Sequence, residues 1–199
     1  FYNHQVDGFQ DFKKTSNGKI NVRDFIDTND TKISWSSSLI PKLEKGEKAK
    51  FESDKIHVSL YRPFTKQFLY YGDKMIHRRS QTDNLFPSNS LQNTIICLSS
   101  SPNDGVSILM SNEFADLHLN GDTQCFPLHY YEERDKQSPN IFDAAGDSEY
   151  IKRDGVSDFI LKQARENYGD RVTKEDIFYY VYGILHSPDY RTTFANDLK

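Results

Sequence analysis

The spacing of apolar residues changes once along this chain, and that change constrains the fold more than any other feature. Before about residue 130 the apolar positions alternate or run together in short blocks, and after residue 156 they recur every three or four positions. Lys55–Tyr61 alternates with period two, which predicts a strand with Ile56, Val58 and Leu60 on one face and His57, Ser59 and Tyr61 on the other. Arg62-Pro63 ends it, because proline cannot donate to a ladder. Gln67–Tyr71 starts a second strand, turned by Gly72-Asp73. Asn93–Ser99 is an almost unbroken apolar run, as a strand buried on both faces would be. Val106–Met110 is its expected hairpin partner across the Ser101–Gly105 turn. Thr123–Leu128 reads as a further short strand ended by proline. Upstream, Ile33–Ser36 alternates like a half-buried strand, and Ser38–Gly46 reads as a short helix or turn closed by glycine. Residues 1–32 read as short elements broken by polar turns, with Ser16–Lys19 a tight turn.

Downstream, Val156, Phe159, Ile160 and Ala164 have helical spacing, and Gly169 stops that helix. Thr173–Asp176 resembles a capping box with Asp in place of Glu or Gln. The helix that follows to His186 has Ile177, Phe178, Val181, Ile184 and Leu185 as its expected buried stripe and Tyr179 off it. Ser187-Pro188 opens another helix. Strands followed by helices predict an α+β fold: a β-rich N-terminal two-thirds with a mixed or antiparallel sheet, then a helical C-terminal third. The expected division is a β-rich subdomain at 1–130, a linker or long surface loop at 131–152 and a helical subdomain at 153–199.

At 199 residues the chain is long enough for one domain with its own core. Its apolar share is only 36%, but 14% is aromatic, and disordered chains are poor in aromatics. No run approaches the 18 apolar residues of a membrane-spanning helix. Two cysteines exclude a disulfide scaffold and a four-ligand zinc finger. Nothing at the start resembles a signal peptide, so a cytoplasmic location is expected. The chain has no initiator Met and starts in mid-pattern, and reads as a piece of a longer polypeptide.

Catalytic signatures are missing from the sequence: there is no HExxH, Walker A loop, GxGxxG or GxSxG. Asp116 and His118, two apart on an expected strand, would share a face, with His129 further on. Spacing places no third ligand, so a polar strand face is expected and no metal. Cys97 and Cys125 read as small core residues. No catalytic residue is expected. The net charge of −4 argues against a dedicated nucleic-acid binder, but its distribution does not. Residues 42–79 hold ten Lys/Arg and five acids, net +5, which leaves −9 for the rest. His77, Arg78 and Arg79 meet no acid until Asp83.

Several segments together resemble one family. Tyr61-Arg62-Pro63-Phe64, followed by Tyr70-Tyr71, resembles the YRPF…YY segment of the C-terminal specificity region of type ISP restriction-modification enzymes. Ile33–Ser36 with Leu39 and Leu43, Phe126-Pro127-Leu128, and Thr173–Arg191 (TKEDIFYYVYGILHSPDYR) are similar to further segments of that region, in the same order. The resemblance covers about residues 30–199. It implies a target recognition domain that contacts double-stranded DNA, in a polypeptide that also carries a nuclease, a helicase-type translocase and an adenine-N6 methyltransferase. The methyltransferase motif NPPY is absent here. S-adenosylmethionine, ATP and magnesium would then belong to the parent's other domains, with no cofactor in this one. An alternative role is docking on the methyltransferase domain of the same polypeptide, where Tyr179 would matter.

A recognition domain separates phosphate contacts, which position, from base contacts, which specify. Lys66, Lys74, Arg78 and Arg79 are the phosphate candidates. Gln81, Asn84, Asn89 and Gln92, in the polar stretch after the basic run, are the base-reading candidates. Arg62, beside Pro63 in a turn, is as readily a structural partner of a carboxylate.

Overall fold

The computed structural model describes residues 1–16, 20–72, 74–77, 82–101, 105–119, 121–134 and 149–198. They form two compact units: Phe1–Ile56 with Tyr70–Arg79, and His57–Leu69 with Ser80–Lys199.

The first unit opens on a 14-residue helix, α1 (Tyr2–Thr15), where the sequence reading expected only short elements. Its stripe is Tyr2, Val6 and Phe9, spaced four and three, and all three side chains are buried. They pack on Leu39, Ile40 and Leu43 of α2 (Leu39–Glu44), and on Val22 and Ile26. Polar neighbours and Gly8 mask that stripe in the sequence. Asn3 pins the helix to the chain beyond α2, donating to the Ala49 carbonyl and accepting from its N–H, both at 2.8 Å. Gly46 follows α2 with φ +78°, the closing glycine expected there. Ile33–Ser36 is not a strand. Ile33 and Trp35 instead pack against the helical core, and the Trp35 indole N–H donates to the Asp27 carbonyl at 2.8 Å. An alternation of four residues reports burial of two side chains, which a loop over a core satisfies as well as a strand does.

The second unit carries the sheets. β1 (Ile56–Arg62) pairs with β2 (Thr65–Tyr70) and, in parallel, with the two-residue β5 (Phe114–Ala115). A helical turn, α3 (Thr82–Leu85), precedes β3 (Ile95–Ser101). β3 is the middle strand of an antiparallel sheet, between β4 (Gly105–Ser111) and β6 (Gln124–Pro127). Ile95, Ile96 and Cys97 are all buried, as a strand covered on both faces requires. Leu128 N–H bonds the Thr94 carbonyl at 2.8 Å, so Thr94 and Leu128 form a hydrogen-bonded pair. Ile95/Pro127 and Cys97/Cys125 then fall at non-hydrogen-bonded positions, where Pro127 forfeits no ladder bond. The facing Cys125 thiol and burial push the Cys97 thiol above the usual range and keep it protonated.

β1 buries the polar one of its two faces more deeply than the apolar one. His57 and Ser59 are buried, while Ile56, Val58 and Leu60 are half-buried. The cause is β5: Ser59 Oγ donates to the Phe114 carbonyl at 3.1 Å, and the His57 ring lies 4.5 Å from the Phe114 ring. Polar side chains with partners tolerate burial.

β7 (His129–Glu133) and β8 (Tyr150–Asp154) pair antiparallel, so both ends of the stretch expected as a linker are strand residues, and residues 135–148 lie outside those described. Three helices complete the unit: α4 (Asp158–Tyr168), α5 (Lys174–His186) and α6 (Pro188–Thr193). Ser157 caps α4, and Gly169 ends it at φ +99°. Thr173 and Asp176 form the expected capping box, the aspartate accepting from Thr173 N–H at 2.9 Å. Phe178, Tyr182 and Leu185 pack on Ile96, Ile108 and Leu128. The stripe is therefore rotated from the expected one: Val181 is exposed, because Ile177 and Val181 turn toward α4. The chain is an α+β protein, with its sheets in the first two-thirds and α4–α6 at the C-terminal end. Among the described residues no helix is long and apolar enough to cross a membrane.

Candidate nucleic-acid interface

Between α3 and β3 the chain runs through an irregular segment, residues 86–94, that holds two of the base-reading candidates on a tightly fixed backbone. Phe86 anchors its start, buried with its ring 5.0 Å from that of Phe114. Asn93, only 4% exposed, anchors its end with four hydrogen bonds. Its amide donates to the carbonyls of Leu85 (3.0 Å) and His129 (2.6 Å) and accepts from the N–H groups of Thr94 (2.8 Å) and His129 (3.1 Å). The Tyr131 hydroxyl adds a bond to the Gln92 carbonyl at 2.7 Å. Asn93 and Tyr131 thereby tie the segment to β7.

Asn89 and Gln92 project from this segment as exposed side chains and line an open, polar cleft of about 420 Å³. His57 and Phe114 form part of its wall, Asn112 and Glu113 another part, and Lys152, Glu175 and Tyr179 a third. Side-chain amides offer a donor and an acceptor in one plane, the pattern that matches a base edge. His129 also lines the cleft, with Nδ1 3.4 Å from an Asp154 oxygen. Burial and the Lys152 charge hold His129 below the usual imidazole range, against the opposing pull of Asp154. Asp154 is held below the usual carboxylate range chiefly by Lys174, which bonds it at 2.9 Å.

Next to this wall stands the β1–β2 hairpin. Its loop is Pro63-Phe64, with Phe64 at φ +71° and 94% exposed. The Arg62 guanidinium lies 4.9 Å from the Tyr61 ring centre and donates to the His118 carbonyl, a neutral partner and not the carboxylate held open as one alternative. Lys66 on β2 is exposed and pairs with Glu113 at 3.0 Å, which brings one phosphate candidate to a cleft residue.

The remaining sequence candidates are dispersed. Lys74 belongs to the first unit, where it donates to the Lys48 carbonyl at 2.8 Å and lies 3.8 Å from Glu47. Asn84 is exposed on α3 but does not line the cleft. Arg78, Arg79 and Gln81 lie outside the described residues. Asp116 and His118 are not on a strand: β5 ends at Ala115, and the Asp116 carboxylate accepts from His118 N–H at 2.8 Å in a turn. Among the described residues no three His, Cys, Asp or Glu side chains are grouped to hold a metal. Sequence reasoning missed Asn93, His57, Lys152 and Glu175 as cleft residues. An amide opening an apolar run was the one available signal for Asn93; the others are brought together only by the tertiary fold.

Residues 3–199 match the profile of the Type ISP C-terminal specificity domain. No curated protein sequence matches the chain. Among solved structures, the chain is similar to the ATP-dependent Type ISP restriction-modification enzyme LlaBIII bound to DNA (TM-score 0.72, 26% identity, 98% of this chain and 12% of that one). A DrdV–DNA complex matches with TM-score 0.70 and 25% identity, over 99% of this chain and 17% of that one. A nuclease-deletion mutant of the Type ISP enzyme LlaGI with a DNA substrate mimic matches with TM-score 0.69 and 30% identity, over 100% and 13%. The chain therefore spans about 12–17% of the length of these three proteins.

Proposed function

Since the chain belongs to the Type ISP C-terminal specificity domain family, we propose that it is the DNA target-recognition domain of a larger restriction-modification enzyme. The observation that carries this reading is the pair of exposed amides, Asn89 and Gln92, on a segment fixed by Asn93, Tyr131 and Phe86 beside a polar cleft. A base reader must hold its donors and acceptors still before the duplex arrives, because ordering them on binding reduces affinity. In this reading Asn89 and Gln92, with Asn84 and Gln81, contact base edges. Lys66, Lys74, Arg78 and Arg79 contact phosphates. The similarity to the LlaBIII, DrdV and LlaGI structures, each with DNA or a DNA mimic, supports double-stranded DNA as the partner. The helicase, nuclease and adenine-N6 methyltransferase activities, with ATP, magnesium and S-adenosylmethionine, belong to other parts of the parent polypeptide. This chain supplies specificity and no catalytic group.

Asn89→Ala and Gln92→Ala, tested by selection from random duplexes, are expected to relax the preferred base at one position each while affinity for unselected DNA holds. Unaltered base preferences in both variants would contradict the assignment. Replacing Arg78 and Arg79 together by alanine is expected to weaken binding to all sequences and reduce the salt slope by about 1.8, two released counterions' worth. An unchanged slope excludes both arginines as phosphate contacts.

A second reading has one observation in its favour. α4 and α5 leave an apolar groove of about 530 Å³ between them, with Ile160, Tyr180 and Val181 exposed along it. Such a surface suits docking on the methyltransferase domain of the same polypeptide. Val181→Asp would then abolish association with that domain and leave duplex binding intact.

A further inference from the structure

The loop of the β1–β2 hairpin has two residues, and the second is in the wrong conformation for its side chain. The Pro63 ring fixes its own φ near −65°, and Phe64 follows at φ +71°. That succession of signs is the one a type II turn makes, and its third position favours glycine. Here it holds a phenylalanine. A bulky side chain with left-handed φ is a genuine outlier, because its Cβ crowds the following carbonyl.

Among the described residues no packing repays that strain. The Phe64 ring is 94% exposed, so it contributes almost no buried area. Four residues on, Phe68 is 84% exposed. Strain kept without a packing gain points toward a function of the strained residue itself. The surroundings indicate the partner. From Lys55 to Gly72 the sequence contains no acidic residue, and the hairpin carries Arg62 and Lys66 on either side of the turn. Lys66 meets Glu113, and Arg62 meets only the His118 carbonyl and the Tyr61 ring among the contacts described. An aromatic tip between two cations fits a polyanion that also presents flat apolar faces. Duplex DNA opened at a base step offers both: phosphates for the cations and base faces for the ring.

We propose that Phe64 is a wedge that stacks into a base step of duplex DNA, with Arg62 and Lys66 set against the flanking phosphates. This inference rests on the reading of the chain as a DNA-recognition domain, and it adds a contact that acts through stacking and DNA deformation. It requires no base-edge hydrogen bond. A step that unstacks easily, such as TA or CA, would be favoured at the wedge position for that reason alone.

The test compares the wild-type chain with Phe64→Gly, Phe64→Ala and Phe64→Trp on duplexes recovered by the wild type from a random pool. The same duplexes are also made with 2-aminopurine at successive positions. Phe64→Gly relieves the left-handed strain, so it is expected to melt no lower than wild type, which separates a lost wedge from a lost fold. Both truncations are expected to weaken binding about 5- to 150-fold, the usual range for removing one base-stacking ring. The salt slope should not change, since no phosphate contact is removed. Phe64→Trp should retain binding. Wild type should raise 2-aminopurine fluorescence at one step, and Phe64→Gly should not. If wild type binds and the truncations bind equally well, the wedge is overturned and the recognition reading stands. Weaker binding without any 2-aminopurine change also overturns it, because no step is then unstacked. If the wild-type chain retains no duplex at all, the recognition reading fails and the wedge fails with it.

Discussion

The segment from Phe86 to Thr94 and the Pro63-Phe64 turn both offer side chains to solvent, and they are held in opposite ways. The first is an irregular stretch fixed by buried groups: a phenylalanine ring, a saturated asparagine amide and a tyrosine hydroxyl. The second is the exposed tip of a hairpin and carries a conformation its side chain disfavours. Hydrogen-bond readout tolerates little displacement, so a reading residue needs a stiff base. A stacking residue needs reach, and a two-residue turn gives it at the cost of local strain.

The largest effects are expected in the stiff segment. Phe86→Ala removes a buried ring from Phe114 and is expected to cost about 3–4 kcal/mol in denaturant unfolding. A cost below about 1 kcal/mol would mean the segment is not anchored there. Asn93→Ala leaves two donors and two carbonyls inside the protein without this partner, and about 2–3 kcal/mol of destabilisation is expected. Hydrogen exchange should then rise first at Ser88–Gln92. On the strained side the sign reverses. Phe64→Gly is expected to stabilise by about 1 kcal/mol, less than the full left-handed penalty because glycine gains freedom when unfolded. A destabilising Phe64→Gly would show that the ring packs on something. Lys66→Gln should leave stability within about half a kcal/mol, as exposed ion pairs do, while lowering the salt slope of DNA binding by about 0.9.

The smallest expected effect is one of pH. Burial and Lys152 hold the His129 imidazole below its unfolded value, so the folded state resists its protonation. The linked stability is present above about pH 6.5, the usual imidazole value, and is lost as pH falls below it. Asp154, held low by Lys174, withdraws its contribution only at more acid pH. Between pH 7 and 5 a His129→Gln variant should therefore show a flatter stability curve than wild type. Parallel curves would remove the imidazole from the account.

What the sequence carried of all this follows from how local each signal is. β3, β4, β6 and the capped helices α4–α6 are written in short-range pattern and capping chemistry, and they lie where the pattern put them. α1 was missed because only three of its fourteen residues are buried, separated by polar positions and a glycine. The burial of His57 and Ser59 on β1 depends on β5, fifty residues away, and no local pattern encodes that. Of the site, Asn89, Gln92 and Lys66 were legible as polar or basic residues in a charged neighbourhood. Asn93 was absorbed into a strand, since a buried amide inside an apolar run looks like the run's edge until its partners on β7 are known. The turn at Pro63-Phe64 was read as a strand terminator, and the sign of φ at Phe64, which gives it meaning, is not a property of sequence.

The central claim is that this chain itself reads DNA. The most direct measurement is retention of random-sequence duplexes by the purified chain at a low and a moderate salt concentration, with sequencing of what is kept. An enriched short motif is expected, with a total retention that falls steeply with salt. Retention at neither salt, or retention that enriches no motif at either, would contradict it.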